Sequence, residues 1–410
     1  PGLFFIGSQA STLASVAIDE MFGTPLNDDP KLLAFTDSVQ DASHRAGFFS
    51  ARTYHFTFRT ALQHIIDAAG PGGLRLQEVG GRLLEYWSQS DHGRPGSVKE
   101  AMGALMPPDL QEYEPWVKYR DNDAMIEPPP GLREEIEARL TWEACSEFGL
   151  MQTHGRTMEP AGSACMGWDE ELIKTTVTGL KERLPGIDPH LEKVDEDRLR
   201  LWVYGMLHRY RERGAVGHEY LIPLARQNFW GKYPFGRAVP GRETYPSAIR
   251  YRPRFMVTQP TSYHENVLAP TRGNMPPWHI KWARRALVLP VASEATILDL
   301  ILCLLDVGAQ AGLLNRIHQD GLREFYWISP AAAILFSEGA HYCCSYSGKS
   351  LVRPREGSKQ WGKAPSLEYH ADRGVYTPCD YSPRQKYYQD RYRKGALRRV
   401  VAHEHRPAGH

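Results

Sequence analysis

The sequence is poor in the features that would declare its chemistry directly. Its 410 residues hold six cysteines, Cys145, Cys165, Cys303, Cys343, Cys344 and Cys379, at irregular spacing. That is too sparse for a disulfide scaffold, and with no signal peptide in view a reducing cytoplasm is the expected compartment. No apolar run approaches the roughly 20 residues that a membrane helix needs. The most apolar stretch, residues 297–305, reads as a buried helix, and no membrane partner is expected. An excess of charge is lacking too: 49 Lys and Arg face 48 Asp and Glu, for a formal +1. No global field therefore draws nucleic acid, although the end of the chain is locally basic. No G-x-x-x-x-G-K-[ST] occurs, which excludes a phosphate-cradling P-loop. "AHEHRPAGH" does not place two histidines on one helical turn for zinc, and "GSACMG" lacks the serine-centred elbow of hydrolases. No catalytic residue and no metal ligand is assigned.

What is present is ample material for packed cores, 42% hydrophobic and 11% aromatic, in a length that suits two or three domains. Residues 7–22 read as a helix with Leu13, Val16, Ala17 and Met21 on its apolar face. "LLAF" reads as a short strand buried on both faces. Ser38 then caps a helix carrying Ala42, Ala46 and Phe49, and a second helix is expected from about residue 56 to 68. From 70 to about 290, Pro/Gly loops separate helical segments, clearest at 134–149 and 197–210, with few strand signals. Within 291–340, an apolar helix is followed by a helix over 311–317, a strand at "REFYWI" and a short helix restarted by Ser329-Pro330, an order that suits a winged-helix unit. Residues 343–379 read as irregular. The end of the chain reads as a basic helix followed by a strand, "LRRVVAHEH".

Three groups of residues carry candidate chemistry. In "PRQKYYQDRYRKG", Arg384, Lys386, Arg391, Arg393 and Lys394 interleave with Tyr387, Tyr388 and Tyr392, which suits phosphate contact and base stacking; a solvated amphipathic helix packing its tyrosines is the other reading. Cys343, Cys344, His370 and Cys379 could meet around a metal. However, Ser347 stands where a paired C-x-x-C wants its second thiol, and ordinary loop cysteines explain the pattern as well. In "LLAFTDSVQDASHRAGF", Thr36 and Ser38 sit at a strand end and a helix start, where amides favour anions, and Arg45 follows two turns on. The bland alternative is a helix cap.

That last stretch resembles the strand, turn and helix opening the second RecA-like domain of superfamily-two DEAD/DEAH-box helicases, in the form hydrophobic strand, F-[ST]-D-S, then Q-D-A. It is similar above all to large bacterial helicases of phage-defence or DNA-repair systems, which carry a long insertion and a cysteine-rich module. The resemblance implies backbone contacts to nucleic acid by Thr36, Asp37, Ser38, Gln40 and Asp41, with Phe35 as the strand end. The expected fold is mixed α/β and mostly helical: a partial RecA-like domain begins in 1–69 and is interrupted by a helical insertion over 70–290. A winged-helix-like unit (291–340), a degenerate Cys-rich region (341–380) and a basic helix with a returning strand (381–410) complete it.

The implied parent is an ATP-dependent DNA helicase or translocase, with ATP and Mg as its cofactors and single-stranded or duplex DNA as its partner. The non-Met start and the missing ATP-binding, Asp-Glu and arginine-finger motifs imply a fragment that lacks the remainder of the helicase and does not hydrolyse ATP by itself. The alternative is a stand-alone, non-catalytic nucleic-acid-binding or scaffolding protein derived from a helicase. A metal-dependent enzyme on a helical scaffold is a third, weaker reading.

Overall fold

The computed structural model describes residues 17, 20–21, 39–89, 96–107, 110, 116, 126–152, 156–222, 253–259, 265–271, 273, 276–319, 323–344, 350–354, 376–395 and 397. The strands expected at "LLAF" and over 398–405, the turn residues Thr36, Asp37 and Ser38, and His370 lie outside these residues. The fold is mixed α/β and mostly helical, with small, largely antiparallel sheets. The chain divides into two compact units. One comprises Pro1–Ile65, Gly80–Leu140 and Asp390–His410; the other comprises Ile66–Val79 and Thr141–Gln389.

The first unit is built on helices. Helix α1 (Val39–Ala69) joins the two helices expected there into one of 31 residues. The segment holds no proline and a single glycine, Gly47, and one glycine costs less than a second helix start. The helix stops at Gly70, whose φ of 67° is open to glycine at little cost, and Pro71 forbids continuation. Phe58, Ala61, Leu62 and Ile65 recur at helical spacing and are buried. Among the described residues, helices α2 (Val79–Trp87) and α3 (Val98–Leu105) follow, and α4 (Leu132–Phe148) begins in this unit and passes into the second at Thr141. Trp87 donates its indole N–H to the Ala61 carbonyl at 3.3 Å. Ser97 caps α3 by accepting from the Glu100 amide. In the segment 7–22, Ala17 and Met21 are helical but exposed, so they do not form the apolar face expected of them.

The second unit packs helices beside three sheets. Its helices are α5 (Met158–Ala161), α6 (Glu170–Ile187), α7 (Glu196–Glu212), α8 (Trp278–Ala286) and α9 (Glu294–Gln310). Side-chain caps start three of them: Asp169 for α6, Asp195 for α7 and Ser293 for α9. Helices α7 and α8 meet where Gly205 leaves room for the Trp282 indole, whose N–H donates to the Trp202 carbonyl at 3.0 Å.

The strands are β1 (Leu74–Arg75), β2 (Ala164–Trp168), β3 (Met256–Val257), β4 (Glu265–Asn266), β5 (Leu314–Gln319), β6 (Arg323–Ile328), β7 (Ala333–Ser337), β8 (Gly339–Cys344), β9 (Ser350–Pro354) and β10 (Tyr376–Pro378). They form sheets ordered β1-β7-β2, β4-β3-β6-β5 and β10-β8-β9, antiparallel except at β3–β4. Strand β2 is buried throughout. Cys165 packs with Ile334, Phe336 and Val352 in one apolar cluster. Strand β7 runs into β8 through Glu338 alone, a non-glycine residue at φ 60° whose amide donates to the Ser163 carbonyl at 3.1 Å.

Three local expectations are corrected in this unit. The helix expected over 311–317 is instead strand β5, paired in register with β6 from Leu314↔Ile328 to Gln319↔Arg323. Cross-strand partners override the helix-like spacing of Leu313, Leu314 and Ile317. Ser329-Pro330 opens a tight turn rather than a helix, with the Ala332 amide donating to the Ser329 carbonyl at 3.0 Å, as proline at the second turn position favours. The region read as irregular, 343–379, holds the end of β8 and all of β9 and β10.

A buried ion pair ties this unit together. Arg211 on α7 donates to both oxygens of Glu159 on α5, at 2.6 and 3.0 Å, and both side chains are at least 96% buried. Glu159 also accepts from the Met166 amide of β2 at 3.2 Å. Glu159→Ala strands a buried guanidinium and is expected to cost about 3–5 kcal/mol, read by urea denaturation. Glu159→Leu with Arg211→Met should recover most of that loss.

The β5–β6 hairpin adds a pH term. Burial pushes the Glu324 carboxyl up, but hydrogen bonds from Arg316 (Nε, 3.0 Å) and Tyr326 (2.7 Å) outweigh it, and the net pKa is lowered. A depressed native pKa gives stability that is present above the unfolded value near about 4.3 and lost as pH falls through the native one. Glu324→Gln is expected to remove that part of the acid dependence, worth less than about 1 kcal/mol for so exposed a pair, in thermal melts between neutral and acid pH.

Candidate functional site

The basic, tyrosine-rich segment forms helix α10 (Pro383–Lys394). Its start is fully specified by sequence. Ser382 accepts from the Gln385 amide at 3.3 Å, and Gln385 Oε1 accepts from the Ser382 amide at 2.7 Å. This reciprocal capping box is followed by proline at the first helical position. The side-chain amide Nε2 of Gln385 donates to the Pro160 carbonyl at 2.7 Å.

The helix has two unlike faces. Tyr388 and Tyr392, four residues apart, are buried, and the Arg156 guanidinium lies over the Tyr388 ring at 5.9 Å. Arg391 belongs to the inward side as well: its side chain is only 7% exposed, it pairs with Glu20, and it lies over the Phe56 ring at 4.7 Å. Burial lowers its pKa, and the neighbouring Tyr392 opposes this. The outward side carries Arg384, Lys386 and Lys394, all exposed, with Arg393 half-buried and Tyr387 at 42% exposure. Lys394 makes only a loose pair with Asp390, 3.4 Å between two exposed groups.

The residues implied by the helicase-like turn are placed less fully. Gln40, Asp41 and Arg45 lie in the first two turns of α1, while Thr36, Asp37 and Ser38 are outside the described residues. The structure thus places the basic residues of α10 on one helix and divides them by burial.

A second cluster was not singled out by sequence in this form. His341 and Cys343 are two residues apart on β8 and so share one face of the strand. Strand β10 pairs with β8 through Thr377↔Cys343 and Pro378↔Tyr342. One residue on, the Cys379 amide donates to the His341 carbonyl at 2.9 Å, so Cys379 lies opposite His341. The ligand atoms of His341, Cys343 and Cys379 all lie within 4.8 Å of one another. Cys343 and Cys379 are joined as a disulfide with Cα atoms 6.0 Å apart, and His341 Nδ1 is 3.5 Å from Cys379 Sγ.

His341 is held in place by stacking on the Tyr381 ring, with centroids 4.7 Å apart and planes 5° apart, and Tyr381 donates its hydroxyl to the Gly339 carbonyl at 2.5 Å. Burial lowers the His341 pKa, with a backbone interaction at Asp380 acting the other way. Of the cysteine and histidine set weighed in the sequence, the structure brings together Cys343 and Cys379 and adds His341; His370 lies outside the described residues. The signal for His341 was the H-x-C spacing, which acquires meaning only once 339–344 is known to be a strand.

Comparison with known proteins found no matching family model, no matching curated protein and no matching solved structure.

The division of α10 into faces has a direct test. Arg391→Ala removes a buried cation stacked on Phe56 and is expected to lower stability by about 2 kcal/mol. Lys386→Ala, on the exposed side, is expected to leave the melting temperature unchanged. Thermal melts of the two variants beside the parent chain read the difference.

Proposed function

We propose that the chain is the nucleic-acid-binding part of an ATP-dependent DNA helicase or translocase of superfamily two, holding single-stranded or duplex DNA without hydrolysing ATP itself. The observation that carries this reading is the exposure of Arg384, Lys386 and Lys394 along α10, together with a partly exposed tyrosine, Tyr387. Cations spaced along a helix meet successive phosphates, and an exposed ring beside them stacks a base. The likeness of "FTDS" and the following "QDA" to the helicase turn supports the same reading from the sequence, and Gln40 and Asp41 lie in the first turn of α1.

In the finer form of this proposal, 1–69 and the returning strand belong to one RecA-like domain. The segment 291–340 acts as a winged-helix-like unit, a reading supported by helix α9 leading directly into the β5–β6 hairpin. A reducing cytoplasm is the proposed compartment. Among the described residues no helix is long and apolar enough to cross a membrane. ATP and magnesium belong to the proposed parent. The sequence supplies neither a phosphate cradle nor a magnesium-holding Asp-Glu box, so no step through ATP is assigned to these residues.

Binding of a labelled single-stranded oligonucleotide, followed by anisotropy over a range of salt, tests the reading. Affinity is expected to fall linearly on a log–log plot. The double variant Lys386→Ala, Lys394→Ala is expected to flatten the slope by about 1.4, or roughly 0.7 for each lost phosphate contact on a single strand. Tyr387→Ala should weaken binding by about 1–3 kcal/mol with the slope intact. A chain that binds without salt dependence, or whose slope ignores both lysines, does not use this face for nucleic acid.

A further inference from the structure

We propose that His341, Cys343 and Cys379 form a binding site for one divalent cation of the zinc class when the Cys343–Cys379 disulfide is reduced. The inference rests on side-chain geometry in the β8–β10 pair and is independent of the nucleic-acid reading.

Pairing of the two strands is what assembles the set. His341 and Cys343 project from one face of β8, and Cys379 follows β10 directly opposite His341. The three ligand atoms lie within 4.8 Å of one another, close enough to share one ion. In a tetrahedral site with Zn–S near 2.3 Å and Zn–N near 2.05 Å, the nitrogen-to-sulfur edge is about 3.6 Å and the sulfur-to-sulfur edge about 3.8 Å. His341 Nδ1 already stands 3.5 Å from Cys379 Sγ. The Cα separation of 6.0 Å between the two cysteines falls where a disulfide is formed, and short side chains at that spacing can also part to the longer edge. His341 is a buried residue whose ring stacks on Tyr381, so little further ordering of the imidazole is needed when the ion arrives. Among the described residues no fourth His, Cys, Asp or Glu joins the group.

The two states exclude one another. A dithiol reductant gives two electrons and two protons to the disulfide, its own thiols closing to a disulfide while Cys343 and Cys379 become thiols. Cation binding then releases both thiol protons to solvent, because only thiolates coordinate. A small disulfide reverses the sequence by thiol–disulfide exchange: it takes the two electrons of the Cys343 and Cys379 thiolates, leaves as two thiols with two protons from solvent, and the ion is released as the Cys343–Cys379 bond closes. The site thus takes metal in a reducing compartment and becomes a covalent clasp outside it.

Cobalt(II) titration of the full chain tests this. The chain is reduced with a dithiol and desalted without air, and tetrahedral cobalt bound to thiolate is read from its charge-transfer and d–d absorption. The expected result is one cobalt per chain, displaced by zinc, with none bound before reduction. Cys379→Ser should abolish the signal. His341→Gln, which keeps both thiols, should weaken binding by at least about a hundredfold, the upper end of what even outer-shell substitutions cost. Cys303→Ser should leave binding unchanged. Far-UV circular dichroism identifies any variant that fails to fold, and the His341→Gln result then decides alone. A reduced, folded parent chain that binds no cobalt, a thiolate signal that survives both Cys379→Ser and His341→Gln, or equal binding before reduction would each overturn the proposal.

Discussion

A guanidinium withdrawn from water has to find its charge partner before anything around it can settle, and Arg211 imposes that condition on the larger unit. Its partner, Glu159, sits on a helix of only four residues, too short to be stable by itself. The pair holds that turn against α7, and the same carboxylate accepts the Met166 amide of β2. Glu147 of α4 accepts the Met158 amide from the other side at 2.8 Å. One buried charge pair thereby sets α5, β2 and α7 against one another. Met166, held by the Glu159 carboxylate, pairs with Leu335 in the β2–β7 ladder.

Legibility in the sequence tracked how local the deciding interaction is. The helices expected at 134–149 and 197–210 occur as α4 and α7, within two residues at each end, because apolar spacing and caps such as Asp195 act within a few residues. The basic helix was visible for the same reason, its capping residues Ser382, Pro383 and Gln385 being contiguous with it. The β5 segment was not visible. Leu313, Leu314 and Ile317 satisfy a helical spacing as well as a strand, and only the partner strand 323–328 decides between them. Strands β8 and β10 show no clean alternation, and the residues that pair them, Cys343 and Thr377, are 34 positions apart. Ser329-Pro330 carries a cap signal and a turn signal alike, and the short distance between β6 and β7 selects the turn.

The same distinction governs the candidate residues. Interleaved charge and tyrosine in α10 marked a basic aromatic element but gave every cation equal standing. Burial separates them: Tyr388, Arg391 and Tyr392 are held inward, and Lys386, Tyr387 and Lys394 are left outward. The i, i+4 spacing of Tyr388 and Tyr392 held part of that answer, since two rings on one helical stripe are the natural packing face. For the sulfur and imidazole cluster, attention to cysteine pairs drew the eye to Cys344 and Ser347. The operative spacing, two residues from His341 to Cys343, belongs to a strand and not to a metal-binding knuckle.

Glu338 makes the cluster dependent on chain length to the single residue. It is the whole connection between β7 and β8, and its left-handed backbone turns the chain from one sheet into the next. Because side chains alternate along a strand, one residue added or removed here would rotate His341 and Cys343 to the opposite face of β8, away from Cys379. Replacement of Glu338 by glycine or asparagine keeps the count and eases the backbone. In evolutionary terms this link is open to substitution and closed to insertion and deletion, so related chains that retain the cluster should show a gapless alignment from β7 through Cys343.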